Sequence, residues 1–325
     1  MRKINKVCIA NNLYCLLIFL LLADEKVKSN SFFFFSDSIP ETIVKNFENC
    51  IKISKPRSRF GQFFLVLRLR LLIRIKYPFL KTAEIYGQDN LLISSPIIGN
   101  RKLHLIEDGV ATYTRLPRKR KYGWIKRIIG GQLMGQETQG YSNVVDKIYL
   151  TGLAPIPERL SGKVEMINLR NLWDKSSIQK QTTIYEIFNL SNCIINDFKK
   201  IKSVLLTQPL SEDNVIKEEE KIELYGKIIK GKSIAIKPHP REKTNYANYF
   251  PNIKVLPSAL PIELLSLAGV EFSDIYTIFS TAAFAFPNNP QLHFLGTNIH
   301  PAILERFGEV RLVDGVLKGE LKTVT

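Results

Sequence analysis

Short apolar runs recur along the chain and alternate with longer stretches in which apolar positions return every three or four residues. The first run, Lys6 to Ala10 (KVCIA), is followed by Asn11 and Asn12 and then by the apolar run Leu13 to Ala23. A basic start before an apolar run imitates a secretion signal, but no small-x-small cleavage pattern precedes Asp24 and Glu25. The run is also too short to span a bilayer as a helix. The expected reading is a buried strand, an Asn-Asn turn and the first helix of an α/β unit. Further strand-like runs are Ser31 to Ser36 (SFFFFS), Asn90 to Ser94, Lys102 to Ile106, Lys147 to Leu150, Ser203 to Gln208, Ser233 to Lys237, Ile253 to Leu256, Asp274 to Phe279 and Gln291 to Leu295. Their alternation with helical stretches predicts parallel sheets joined by crossover helices. One such stretch, VIKEEEKIELYGKIIKG, sets Ile216, Ile222, Tyr225, Ile228 and Ile229 at mostly helical spacing and stops at Gly231, with Ser211, Asp213 or Asn214 as its expected N-cap. Gly130 to Asn143 (GGQLMGQETQGYSN) interrupts the pattern, and a domain boundary is expected there, dividing residues 1–140 from 141–325.

The 325-residue length suits two domains, and 45% hydrophobic residues suffice for sizeable cores, which excludes a disordered chain. Cys8, Cys15, Cys50 and Cys193 stand far apart, and His104, His239, His293 and His300 never fall at zinc-ligand spacing with them, so no structural metal or disulfide framework is expected. Charge is more informative. Residues 1 to 130 hold 24 basic residues against 9 acidic ones, leaving 22 against 21 for the rest. The dense runs are Lys52 to Arg59, Arg68 to Lys76 and Arg115 to Arg127, interleaved with Phe63, Phe64, Leu65, Leu67, Leu71, Leu72, Ile73 and Trp124. Basic residues mixed with apolar ones suit an anionic membrane surface better than nucleic acid, and neither an RNP-like motif nor a helix-turn-helix pattern is evident.

In two α/β domains with a cleft between them, functional residues are expected at the carboxyl ends of strands. Four strand ends carry candidate chemistry. Leu103 to Gly109 (LHLIEDG) ends in Glu107, Asp108 and the turn-forming Gly109, where adjacent carboxylates suit binding a hydroxyl or acting as a base. Val204 to Asn214 (VLLTQPLSEDN) ends in Glu212 and Asp213. Ile234 to Glu242 (IAIKPHPRE) delivers His239 in a rigid Pro-His-Pro turn, with an expected pKa suited to proton donation near neutrality. Tyr276 to Phe286 (YTIFSTAAFAF) offers Ser280, Thr281 and the N–H groups of a following helix start as a phosphate site.

The ordered set Glu107-Asp108-Gly109, His239-Pro240-Arg241 and Phe279-Ser280-Thr281-Ala282-Ala283 resembles the bacterial sialyltransferases of GT-B fold, and most closely glycosyltransferase family 52, the lipooligosaccharide and capsule sialyltransferases. The resemblance implies two Rossmann-like domains facing a central cleft, with residues 1–140 on the acceptor side and 141–325 binding the CMP-sugar. It implies CMP-sialic acid as donor, a terminal galactose of a bacterial surface glycan as acceptor, inversion at the anomeric carbon, and an expected alpha-2,3 linkage. No further cofactor is implied. In that scheme His239 assists departure of the CMP phosphate, Ser280 and Thr281 hold it with Pro240 and Arg241 alongside, and Glu263 binds the ribose. Glu107 and Gly109 belong to the acceptor side. For the base, the family resemblance points to an Asp about two dozen residues before the histidine. Asp213 stands 26 positions before His239. The run QPLSED leaves Glu212 as an alternative, and Asp108 is the other candidate, otherwise orienting the acceptor. No DxD sequence occurs, so metal-assisted diphosphate chemistry has no evident ligands. Some relatives carry a separate membrane anchor, whereas this chain starts at its first strand, which leaves peripheral attachment at the inner face of the cytoplasmic membrane to the basic half. A homodimer is compatible with the sequence. The alternative is another GT-B transferase of the same surface-glycan route, such as glucosyl transfer from a UDP sugar.

Overall fold

Phe32, Phe33, Phe34 and Phe35 are all buried because both faces of their strand are covered. Phe32 and Phe34 meet Tyr77 on one side, with ring centroids 5.1 and 6.1 Å away. Phe33 and Phe35 meet Phe47 on the other, at 4.4 and 5.2 Å. Side chains alternate across a strand, so a doubly covered strand becomes a continuous apolar run. The structure is a computed structural model describing residues 4–109, 111–114, 133, 136–286, 288–313 and 316–318. The basic run 115–127, with Trp124, lies outside the described residues.

The first sheet contains seven parallel strands: β1 (Lys6–Ala10), β2 (Ser31–Ser36), β3 (Cys50–Ile53), β4 (Glu84–Gly87), β5 (Leu103–Ile106), β6 (Val145–Leu150) and β7 (Val164–Met166). Their spatial order is β3-β2-β1-β4-β5-β6-β7, which puts a topological switch between β1 and β4. Gly87 is required at the end of β4, since its φ is +138° and a Cβ there would sit 2.3 Å from the carbonyl oxygen of Ile9. As expected, Lys6–Ala10 is a strand and Leu13–Leu22 is the first helix, α1, whose N-cap Asn12 accepts from the N–H of Cys15 at 2.7 Å. Among the described residues no helix is long and apolar enough to cross a membrane. The second long helix, α2 (Arg59–Lys76), is capped by Ser58, which accepts from the N–H of Gly61, and turns Val66, Leu69 and Ile73 into the core.

Strands β3, β4 and β7 escape the apolar-run criterion because Lys52, Glu84 and Glu165 interrupt them. Asn90 to Ser94, expected as a strand, is a turn leading into the short helix Ser94–Ile98, with Ile93 buried in the core. A short apolar run distinguishes poorly between a strand and a buried turn. Ile253 to Leu256 likewise forms only one bridge, Val255 to Ile236.

The boundary also differs from the expected 140/141. One compact unit ends at Ile187 and the next begins at Phe188. The expected linker is tied down at its end, where the N–H groups of Gln139 and Gly140 both donate to Asp89 at 2.9 Å. Beyond it β6 and β7 complete the first sheet, and α3 (Ile178–Ile187) presents Lys180, whose ammonium donates to the carbonyls of Leu21 and Ala23 at the end of α1. The change in charge balance therefore falls inside a folding unit.

The second unit holds β8 (Ser203–Leu206), β9 (Ala235–Lys237), β10 (Asp274–Thr277) and β11 (Gln291–Phe294), all parallel in the order β11-β10-β8-β9. Its switch lies between β8 and β10. The helical stretch read from the sequence is α4 (Glu218–Ile229), which buries Leu224, Tyr225, Ile228 and Ile229. Its N-cap is Lys217, whose N–H donates to Glu220 at 2.8 Å, rather than Ser211, Asp213 or Asn214, which remain in the preceding loop. A short helix α5 (Ile262–Leu267) follows Pro261, and a two-stranded antiparallel ribbon, β12 (Arg311–Val313) and β13 (Val316–Lys318), lies near the end of the chain.

Candidate active site

β9 ends at Lys237, and Pro238 and Pro240 stiffen the turn that follows. The N–H of His239 donates to Glu242 Oε1 at 2.9 Å, and that of Arg241 donates to His239 Nδ1 at 3.2 Å. With Nδ1 accepting, a neutral ring carries its proton on Nε2. Burial, joined by the charges of Arg241 and Lys237, brings the imidazole down to about 4, against the opposing effect of Asp213 and Glu212. The expected pKa near neutrality is thereby revised: at neutral pH the free protein presents an uncharged ring with one donor. An approaching phosphate favours the protonated ring, so charge develops there only with an anion in place.

Arg241 grips Asp213 with two parallel hydrogen bonds, 2.6 and 2.9 Å, joining the loops after β8 and β9. Both oxygens of the favoured base thus have a guanidinium partner. Lys237, absent from the sequence reading although it begins KPHPRE, is buried and donates to the carbonyls of Pro238 and Ser258 at 2.8 and 3.3 Å. Burial lowers its ammonium to about 8, opposed by Glu263 and Glu242. Glu263, in the first turn of α5, is thereby placed within electrostatic reach of the His239 turn.

Glu212 has a different task. Its Oε1 accepts from the N–H of Lys243 at 2.6 Å and its Oε2 from Lys221 at 3.1 Å. Burial raises its carboxyl, but these bonds outweigh burial and leave it below the usual range. Lys221, wholly buried on α4, also pairs with Glu218 at 3.0 Å and lies 3.9 Å from Glu242. Glu242 accepts from Thr207 at 2.7 Å as well as from His239. Glu212 is therefore a brace between loops, which counts against it as the alternative base. Lys221, Glu242 and Thr207 are supporting residues that sequence spacing did not reveal, although Glu242 and Thr207 stood inside two of the strand-end stretches.

At the switch edge, Thr277 donates to the carbonyl of Leu206 at 3.3 Å and accepts from the N–H of Ser280 at 2.9 Å, pinning the end of β10 to β8. Ser280 and Thr281 stand half-buried at that edge. The helix expected after them is only a 3-10 turn, Thr281–Ala285. So short a segment adds little dipole.

In the first unit, Gly109 has φ +55° and turns the chain after β5, as expected of it. Asp108 is half-buried, with Asn12 donating to its Oδ1 at 2.6 Å. Glu107 is wholly buried. It accepts from Tyr14 (2.8 Å), Tyr113 (2.6 Å), the Thr151 N–H (2.6 Å) and the Thr151 hydroxyl (2.8 Å). Burial raises its carboxyl despite these bonds. Its expected contact with substrate gives way to a structural role, since both oxygens are saturated beneath the surface. Within the acidic motif Asp108 is the carboxylate that keeps exposed surface.

Comparison with known proteins bears on this arrangement. The model of Glycosyltransferase family 52 matches residues 25–303. An uncharacterized protein of Haemophilus influenzae is 34% identical over 321 residues, covering 94% of this chain and 98% of that one. Among solved structures, an alpha/beta-galactoside alpha-2,3-sialyltransferase from the luminous marine bacterium Photobacterium phosphoreum aligns with a TM-score of 0.55 at 14% identity, covering 90% of each chain. A sialyltransferase from Photobacterium damselae, as residues corresponding to its GT-B domain, aligns at 0.52 and 13% identity over 89% of this chain and 90% of that one. The likenesses establish the GT-B fold. The matched span contains every strand-end motif described above, and the chain belongs to glycosyltransferase family 52 and is a glycosyltransferase.

Proposed function

We propose that the protein transfers sialic acid, with inversion, from CMP-sialic acid to a terminal galactose of a bacterial lipooligosaccharide or capsule glycan, forming an alpha-2,3 linkage without a further cofactor. The observation that carries this reading is the His239 turn, where the neutral ring donor stands within electrostatic reach of the Lys237 ammonium and of the Arg241 guanidinium, which grips Asp213. The CMP-sialic acid donor brings a phosphate and a carboxylate to such a cluster, and two anions compete well for a guanidinium. When the donor draws Arg241 away, Asp213 becomes free to take the proton of the acceptor hydroxyl. That oxygen attacks the anomeric carbon, the bond to phosphate breaks on the opposite face, and His239 stabilises the departing CMP through Nε2–H. Ser280 and Thr281 hold phosphate oxygens, Pro240 keeps the turn rigid, Glu263 binds the ribose, and Asp108 orients the acceptor.

The test is a donor screen. Purified protein is incubated with a galactose-terminated acceptor and either CMP-sialic acid or a panel of UDP sugars, and the released nucleotide is measured. CMP release that depends on acceptor is expected. Turnover of a UDP sugar with none of CMP-sialic acid would replace this reading with its rival.

A further inference from the structure

Helix α2 is apolar on two opposite faces. Val66, Leu69 and Ile73 point inward to the sheet. On the other side Phe60, Phe64, Leu67, Leu71 and Ile75 are 74, 50, 42, 61 and 73% exposed. At 100° per residue these five fall in a single band about 80° wide running the length of the helix. Phe63 flanks the band, its ring 5.9 Å from that of Phe64, and Phe60 stacks edge-on against Phe64 at 4.7 Å. A patch of this length and continuity on the surface marks an interaction site.

The charge around the band identifies its occupant. On the same wheel Arg68 borders the band on one side and Arg74 on the other, each about 20° from its edge, and both are exposed. Between Glu48 and Glu84 the chain has nine basic residues and no acidic one. A second copy of the chain laid on this face would oppose arginine to arginine, and a nucleic acid would leave the phenylalanines and leucines in water. An anionic bilayer satisfies both parts at once: acyl chains take the apolar band and lipid phosphates take the flanking guanidinium groups. We propose that the outward face of α2 is an interfacial docking helix that lies in the plane of an anionic lipid surface with Phe60, Phe64, Leu67, Leu71 and Ile75 inserted. The inference goes beyond the transfer reaction and stands independently of the donor.

The test is sedimentation of the full chain with phosphatidylcholine vesicles containing about 30% phosphatidylglycerol and with pure phosphatidylcholine vesicles. Wild-type protein is expected to bind the anionic vesicles, and to bind them roughly tenfold or more weakly when salt is raised from about 0.1 to about 0.5 M. The band variant F64Q/L71Q/I75Q and the flank variant R68Q/R74Q change exposed positions only. Each is expected to keep its circular dichroism and melting temperature and to lose roughly tenfold or more of the vesicle affinity. Absence of binding to anionic vesicles, equal binding to neutral ones, or unchanged affinity in both folded variants would overturn the proposal. So would wild-type self-association that the band variant abolishes, which would assign the face to a second copy.

Discussion

At the scale of single residues, His239 is fixed by bonds inside its own turn. Glu242 fixes its backbone and Arg241 fixes its ring tautomer, so the Nε2–H faces a set direction before any ligand arrives. His239→Ala is expected to lower kcat by about 10²-fold or more, with a smaller change in the KM for donor. The same ring should also leave a mark on stability. Its pKa is about 4 in the folded chain against an ordinary value of 6.5, so below pH 6.5 the unfolded chain binds the proton first. Stability from this residue is complete above that pH and falls as pH drops toward 4. Urea unfolding at pH 7.5 and pH 5 should therefore show a larger loss for wild type than for His239→Ala. The base is settled by a pair of pH-rate profiles. Asp213→Asn is expected to cut turnover and abolish the acidic limb, whereas Asp108→Asn should keep the limb and mainly raise the acceptor KM. An intact acidic limb in Asp213→Asn would move the base to Asp108.

At the scale of elements, the His239 turn rests on a buried charge cluster that joins α4 to the loops after β8 and β9. Lys221 has no exposed surface and serves Glu212 and Glu218 while facing Glu242. A buried cation is costly to introduce and more costly to remove alone, because its partners then stay buried without a counter-charge. Lys221→Met should lower unfolding free energy by about 3–5 kcal/mol. Urea denaturation measures it, and a loss within the range of an exposed substitution would show that the cluster does not brace the loops. Neither the helical spacing of α4 nor the run VLLTQPLSEDN announced this, since Lys221 falls on the apolar stripe where a hydrocarbon side chain is the ordinary occupant. The strand ends themselves were legible: KPHPRE and FSTAA follow short apolar runs, and both stand at the carboxyl edge of β9 and β10.

At the scale of the whole molecule, the chain consists of two parallel-sheet units with candidate chemistry at the carboxyl edges of both. In the proposed transfer, electrostatic help for the leaving phosphate comes from side chains: the His239 donor, the Arg241 guanidinium and the Lys237 ammonium. Transfer activity should therefore be unchanged by an excess of EDTA. A loss reversed by Mg²⁺ or Mn²⁺ would place a cation in the reaction and favour a nucleotide-diphosphate donor. Charge asymmetry was visible in the sequence at this scale, but it was an unsafe guide to the domain boundary. Pairing of β6 with β5 and anchoring of α1 by Lys180 carry the first unit on to Ile187.

Sequence alone determined the alternation of strand and helix, the buried nature of KVCIA and SFFFFS, and the positions of His239, Asp108 and Ser280 just after strands, with Asp213 further along the loop after β8. These properties depend on residues close together in the chain: apolar periodicity, prolines that fix a turn, a glycine that permits one. Tertiary structure alone decided which partner holds each carboxylate. Glu107 is saturated by Tyr14 and Thr151, Glu212 is committed to Lys221 and Lys243, and Asp213 is paired with Arg241, each partner arriving from another element. It also decided which of two apolar faces of α2 meets the core and which meets solvent, because both faces carry the same helical spacing and only packing against the sheet distinguishes them.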